Sequence, residues 1–311
     1  MTKRIEDKLR NIPVLNLIVR FLKKIKLPGF EGLSVYDLIE MYVIGIVKGA
    51  LTSRAGAIAF SFFTAIFPFL IFVLILIPYV PVENFKDDFL RFLEAILPPN
   101  TSDFFVTNIF EDIENTNRRG LLSSVFLLSI FLMANGVNTV FSGFESSYHN
   151  KFNRSVFRQY LYATGVAIIL AMLVIVTVVI IAYFNIYVIQ NLETRGLLEP
   201  NQSQTGIVIA KYLFFVIMIY LTTATLYYFG TKEGKLSRFF SIGALFTTLL
   251  IILTSYLFGI YIENFSQYNE LYGSIGALLI LLFYLWLNSN ILLLGYELNA
   301  SLNRLKKRTK L

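Results

Sequence analysis

The chain has 311 residues, of which 56% are hydrophobic and 15% charged, with a formal net charge of +7 and a mean hydropathy of +0.66. Soluble domains carry about 25% charged residues, so this composition excludes a soluble protein and indicates one that crosses a membrane repeatedly. The lack of cysteine excludes disulfides, thiolate metal sites and cysteine nucleophiles, and a single histidine removes most histidine-based sites.

Residues 1–54 are predicted to form a basic cytoplasmic segment of two interfacial helices. From Val14 to Lys26, apolar residues recur at helical spacing and basic residues occupy the opposite face, which is typical of a helix in the lipid headgroup region. Ser34 and Asp37 have capping-box spacing, so a second helix is expected from about 35 to 53, running into the first span. Membrane anchoring is the simpler interpretation of this segment, and regulation is the alternative.

Six stretches reach the roughly 20 apolar residues that a helix needs to cross the hydrocarbon core. They lie within a predicted membrane domain of residues 55–298, followed by a basic tail of residues 299–311. Lys211 is their one formal charge. We therefore predict an all-α membrane protein with six transmembrane helices, located at Ala55–Val80, Leu121–Phe141, Tyr160–Ile189, Ile207–Phe229, Phe239–Ile262 and Ser274–Leu294.

The first external loop, residues 81–120, is long and acidic, and its apolar residues recur at helical spacing on both sides of Pro98-Pro99. We expect an amphipathic helical hairpin lying on the outer surface. Acidic clusters also bind calcium, but the loop has no Asp-x-Asp-x-Asp-Gly pattern, so solvated charge is the preferred interpretation and no metal site is predicted.

Lys and Arg are distributed unevenly between the two sides of these spans. With both termini in the cytoplasm, 21 of the 27 basic residues lie on the cytoplasmic side, as the positive-inside rule requires. This places the protein in the cytoplasmic (inner) membrane, with its first span as an uncleaved anchor. The net charge is explained by anionic lipid at the cytoplasmic face, and nucleic acid need not be a partner.

Charged candidates lie only at the edges of the spans. Arg54 stands at the inner mouth of the first span, Glu145 just after the second and Glu297 at the end of the sixth. The Arg54 guanidinium suits a phosphate or carboxylate headgroup, although such an arginine also serves simply to position its helix. A pump that depends on a carboxylate in the middle of the membrane is not favoured, because none of the six spans contains one.

Uncharged polar candidates are the asparagines of the second and sixth spans. Asn288 and Asn299 share one face of the sixth span, Asn290 shares a neighbouring face with Glu297, and the second-span pair is placed to face them. They either hydrogen-bond between helices or line a polar cavity. The set is Asn135, Asn138, Asn288, Asn290 and Asn299.

Pro68 lies in the middle of the first span, where it removes a helical hydrogen bond and predicts a kink or a weakened turn. Such a kink suits a gate hinge, but membrane helices also tolerate proline without one. Nucleotide, hydrolase and paired-histidine motifs are absent, and the lone His149 is expected on the surface. No catalytic residue and no cofactor are predicted.

Two segments resemble the YihY/BrkB family of membrane proteins. The stretch Ser53–Pro68 is similar to that family's first-span signature, which has small residues, then Ala-Phe, then a proline. The stretches Tyr272–Ala277 and Gly295–Ala300 resemble its sixth span and its closing Gly-x-Glu-Leu-Asn-Ala. The resemblance covers about residues 34–302. Tyr296 departs from it, since the family more often has a small residue there.

The resemblance implies a six-span fold and a choice of positions to test. Family members were once labelled ribonuclease BN, some are called virulence or serum-resistance factors, and transport or lipid-related roles have been suggested. The matching positions are Arg54, Pro68, Asn288, Glu297 and Asn299.

These patterns favour a transporter or flippase-like protein for an amphipathic or lipid-linked ligand. The alternatives are a non-transporting scaffold or envelope-integrity factor, whose polar residues only pack helices, and a channel. A membrane nuclease is the least favoured. A homo-oligomer is compatible with the sequence.

Overall fold

The protein is described by a computed structural model, which places residues 13–26, 34–37, 39–40, 50–76, 87, 89–91, 119–145, 155–184, 188, 192, 194–195, 200–231, 239–264 and 274–309. The predicted outer hairpin lies outside these residues except at 87, 89–91 and 119–120, and His149 lies outside them altogether.

Seven helices account for most of the described residues, and no strand occurs among them. All but the first are long and apolar enough to cross a membrane. The all-α, six-span prediction is thus confirmed. In chain order the helices are α1 Pro13–Lys24, α2 Leu51–Leu76, α3 Arg119–Glu145, α4 Val156–Tyr183, α5 Pro200–Gly230, α6 Ile242–Asn264 and α7 Ser274–Thr309.

The six long helices form a closed ring. Each packs against the next one along the chain, and α7 packs back against α2. One end of the ring contains the starts of α2, α4 and α6 and the ends of α3 and α5. We call it the basic end, because the distribution of Lys and Arg in the sequence assigns it to the basic side of the membrane. The best buried side chains include Phe141 and Phe144 of α3, Ile58 of α2 and Leu293 of α7.

Two predicted span boundaries differ from the helices for identifiable reasons. The predicted fifth span begins at Phe239 because hydropathy counts the two phenylalanines there, but α6 begins only at Ile242, after Ser241. The predicted sixth span ends at Leu294, whereas α7 continues to Thr309. Hydropathy falls where polar residues enter, but the helix remains buried as far as Leu302 because it packs between other helices.

The predicted capping box at Ser34 is confirmed. The Asp37 carboxylate accepts from the Ser34 backbone N–H at 2.8 Å and from its hydroxyl at 2.6 Å, and the Asp37 N–H donates to Ser34 Oγ at 3.3 Å. The unbroken helix expected from 35 to 53 is wrong. Ala50 has φ 44°, in the left-handed region, and α2 starts after it, with the Arg54 N–H donating to the Ala50 carbonyl at 3.0 Å. A turn therefore precedes the first span.

Glycines set the close contact between α6 and α7 at the basic end. A Cβ added to Gly295 would overlap Thr247 Oγ1 and lie 2.6 Å from Tyr227 Oη, and one added to Gly243 would overlap the Gly295 carbonyl oxygen. No room for a methyl group exists at either position. Small residues let membrane helices approach in this way.

Replacing Gly295 with alanine should therefore lower stability by about 1–3 kcal/mol, because the backbones must separate to admit the methyl group. Thermal unfolding in detergent measures this loss. Gly259→Ala on α6 is the matched control, since nothing lies within 4 Å of its added Cβ. Equal melting temperatures for the two variants would contradict the close contact.

Candidate functional site

Arg54 joins three helices at the basic end of the ring. It lies in the first turns of α2, donates from Nη1 to the Gly143 carbonyl of α3 at 2.8 Å, and pairs through Nη2 with Glu297 Oε1 of α7 at 3.3 Å. The two side chains are only 11% and 10% exposed. Gly143 lies in the last described turn of α3, so Arg54 also ties the backbone of that helix to α2.

The sequence proposed Arg54 as a headgroup receptor and Glu297 as a separate edge carboxylate. The structure brings them together, 243 positions apart in the chain. Guanidinium and carboxylate cancel each other's charge inside the bundle, which is what a buried charge requires. Nη1 and Nη2 of Arg54 are bound to protein groups in this conformation, whereas its buried Nε has no hydrogen-bond partner among the described residues.

Asn299 caps α6 from the neighbouring helix α7. Its Oδ1 accepts from the Gly243 backbone N–H at 2.8 Å, and its Nδ2 donates to Ser241 Oγ at 2.8 Å. Ser241 in turn accepts from the Ala244 N–H at 3.2 Å, as an N-cap residue does. A helix end near lipid has little access to water, so these contacts satisfy groups that would otherwise remain unpaired.

Tyrosines and phenylalanine fill the space between these two caps. The Tyr227 hydroxyl donates to the Leu292 carbonyl and shares a hydrogen bond with Thr247 Oγ1, both at 2.7 Å. The Phe144 ring stacks on Tyr296 with centroids 4.2 Å apart. Tyr296 also contacts the Tyr227 ring, so it is held between helices. We call Arg54, Tyr227, Glu297, Asn299 and these rings the basic-end cluster.

A partly open apolar cavity of about 330 Å³ lies between helices of the bundle, further along them from the basic end. Five helices line it, contributing for example Phe69 of α2, Met133 of α3, Ala171 of α4, Thr222 of α5 and Leu285 of α7. Thr222 is the one polar residue among its described lining residues. Ligand pockets are similarly apolar, with volumes from roughly 300 Å³ upwards.

The cavity and the basic-end cluster are separated along the helix axes. Leu285 precedes Glu297 by 12 positions, which is about 18 Å of helix. The residues between them are packed, including Leu293 at 0% exposure. Among the described residues, packed side chains therefore close off the basic end of the helices from the cavity in this conformation.

Three of the remaining asparagines hydrogen-bond to groups other than asparagines. Asn135 accepts from the Tyr160 hydroxyl of α4 at 2.8 Å. Asn288 and Asn290 donate back to carbonyls of their own helix, those of Tyr284 and Trp286. The buried Oδ1 atoms of Asn138 and Asn288 have no hydrogen-bond partner among the described residues.

Pro68 is buried within α2, which continues through it to Leu76. Proline has no N–H to give the Thr64 carbonyl one turn earlier. The Thr64 hydroxyl donates to the Phe60 and Ser61 carbonyls, at 3.1 and 3.0 Å, and so does not supply the donor that the Thr64 carbonyl lacks. Two residues that line the cavity, Ala65 and Phe69, flank this turn.

The cavity and the interhelical role of Tyr227 were not predicted. A cavity arises where small side chains of several helices meet, and the alanines at 65, 167 and 171 were the available signal. Tyr227 lies among apolar neighbours in the sequence, so only the positions of Thr247 and Leu292 reveal its hydrogen bonds.

The family model of the virulence factor BrkB matches residues 45–311. The chain belongs to the BrkB family. The match includes the whole ring of six helices and every residue of the basic-end cluster. The resemblance found in the first span and in the closing motif is thereby confirmed.

Curated relatives of this BrkB-family chain extend over most of its length. A protein named ribonuclease-like, YfkH of Bacillus subtilis (strain 168), is 29% identical over 82% of this chain and 91% of its own. A UPF0761 membrane protein of Actinobacillus pleuropneumoniae serotype 5b (strain L20) is 24% identical over 80% of this chain and 87% of its own. No solved structure matches the chain.

Removing one partner of the Arg54–Glu297 pair should strongly destabilise the protein. Arg54→Met leaves a buried carboxylate without its guanidinium, at a cost of about 3 kcal/mol. Arg54→Met/Glu297→Met should recover most of that loss, because neither charge remains. Thermal unfolding of both single variants and the double variant checks this, and strictly additive losses would contradict the coupling.

Loss of the Asn299 cap should cost less. Asn299→Ala leaves the Gly243 N–H without its acceptor, which lowers stability by about 1–2 kcal/mol. Asn303→Ala, one turn later and partly exposed, is the control for the same change of side chain. The prediction fails if both variants melt at the wild-type temperature.

Proposed function

We propose that this membrane protein is a transporter or flippase-like protein for an amphipathic or lipid-linked ligand, whose apolar part enters the cavity. The cavity of about 330 Å³ within the ring is the observation that supports this most. A membrane-embedded cavity with an apolar lining favours a hydrocarbon chain over a hydrated solute.

Closure of the basic end supports an alternating arrangement. Arg54 and Glu297 hold α2, α3 and α7 together at one end, while volume remains further along the helices. If these helices separate, Arg54 becomes available to a phosphate or carboxylate headgroup, for which its guanidinium has the right geometry. The proposed ligand therefore has an apolar chain and an anionic headgroup.

Two positions in the spans fit such a movement. Pro68 removes a backbone hydrogen bond beside the cavity, and the Asn288 Oδ1 is buried with no hydrogen-bond partner among the described residues. A polar atom of this kind in the interior is costly unless another conformation, a water or a ligand satisfies it.

We propose further that the protein resides in the cytoplasmic membrane with both termini inside, in contact with anionic lipid and without nucleic acid as a partner. It has no enzymatic role in this proposal and needs no cofactor. Homo-oligomers are compatible with it.

A non-transporting scaffold, or envelope-integrity factor, is the second candidate. It is favoured by the hydrogen bonds of Arg54, Asn135 and Asn299, each of which joins two or more helices. In a scaffold these contacts set stability alone, and the cavity is incidental.

Filling the cavity distinguishes the two functions. Ala171→Phe places a ring in the cavity and should slow translocation of a fluorescent phospholipid in vesicles severalfold or more, because the ligand loses its space. Ala57→Phe makes the same change on an exposed position of α2 and should leave the rate unchanged. Quenching by a membrane-impermeant reagent gives the rate.

Arg54→Ala is a poor choice for this experiment, because it also removes the ion pair that holds the bundle. If vesicles that contain the wild-type protein translocate the lipid no faster than empty vesicles, and Ala171→Phe is stably folded, the result would favour the scaffold. Acceleration that Ala171→Phe leaves intact would show that the cavity is not the pathway.

A further inference from the structure

A groove on the outside of the ring has a shape and charge that suit a lipid. It lies along α4 and against the end of α5, has a volume of about 560 Å³, and shares no lining residue with the central cavity. Its lining consists of Arg158, Leu161, Tyr162, Gly165, Val166, Ile169 and Phe229.

The length of the groove corresponds to one leaflet. Arg158 and Ile169 are 11 positions apart on α4, which is about 16 Å of helix and roughly half of the hydrocarbon thickness. Arg158 lies in the first turn of α4, at the basic end, where a headgroup would be. Phe229, next to the end of α5, borders the groove at the same level.

The apolar part of the groove is open. Leu161 is 66% exposed and Ile169 44% exposed, and a Cβ added to Gly165 would meet nothing within 4 Å. Val166, at 2% exposure, forms the floor. Gly165 thus leaves a space along the helix surface that an acyl chain fills well, since it bends around small irregularities.

The headgroup end is positive. Arg158 is exposed, the N-cap residue Ser155 makes no side-chain capping hydrogen bond, and the first turn of α4 holds no acidic residue. The N–H groups of the first helical turn, which the Ser155 side chain does not cap, and the helix dipole add to the guanidinium charge. A phosphate suits this combination because arginine binds it with two parallel hydrogen bonds.

We infer that this groove retains an anionic phospholipid from the leaflet at the basic end, with its phosphate at Arg158 and one acyl chain along Gly165. The inference does not depend on transport, because the groove lies outside the ring.

Native mass spectrometry of the purified full-length protein tests the site, with phosphatidylglycerol and phosphatidylcholine of the same chains as probes. Both lipids carry a phosphate, but the choline cation of phosphatidylcholine is repelled by the Arg158 guanidinium and cancels the net charge of the lipid. The wild type should therefore retain phosphatidylglycerol roughly tenfold better than phosphatidylcholine. Arg158→Gln should remove this preference. Gly165→Phe should reduce retention of both lipids, because it fills the groove.

Lys211→Gln is the matched control, because it removes an exposed positive charge from α5 at the other end of the ring. It should leave retention unchanged. Equal retention of the two lipids by the wild type, or an undiminished preference in Arg158→Gln, would overturn the assignment. Displacement of the lipid by excess inorganic phosphate would also overturn the assignment, because binding would then depend on the phosphate group alone and the groove would contribute nothing to it.

Discussion

The contact between Arg54, Glu297 and the Gly143 carbonyl determines how the ring closes. Each helix packs against the next one along the chain, whereas α7 must return to α2, from which four other helices separate it in the sequence. Apolar packing alone gives little specificity in a membrane, because lipid tails are as apolar as leucine. A buried ion pair whose arginine also bonds to the α3 backbone specifies which helices meet and at what height.

The closing motif of the family has a physical explanation in this arrangement. Gly295 and Asn299 are one turn apart and face α6, the glycine allowing close approach and the asparagine capping the helix. Glu297 is two positions from each and points to the other side, towards α2 and α3. The close approach at Gly295, the cap by Asn299 and the ion pair of Glu297 thus hold α7 between its two neighbours in the ring.

The sequence predicted the positions of the helices better than the contacts between them. Apolar length alone identified six spans, and the absence of charge inside them directed attention to Arg54 and Glu297 at the edges. Their pairing was not predicted, because periodicity places a residue on a face but does not say which distant helix that face meets. The cavity was not predicted either, because it is the space that side chains from five helices leave unfilled. A local sequence pattern carries no information about that space. For the same reason the sequence did not predict that Asn135 accepts a hydrogen bond from Tyr160 of α4.

The single tryptophan of the chain occupies an informative position. Trp286 lies on α7 next to Leu285, which lines the cavity, and its indole stacks on Phe283 with centroids 5.7 Å apart. Its emission is therefore not mixed with that of any other indole. Intrinsic fluorescence can follow rearrangement of this helix in real time, in native lipid and without an attached dye.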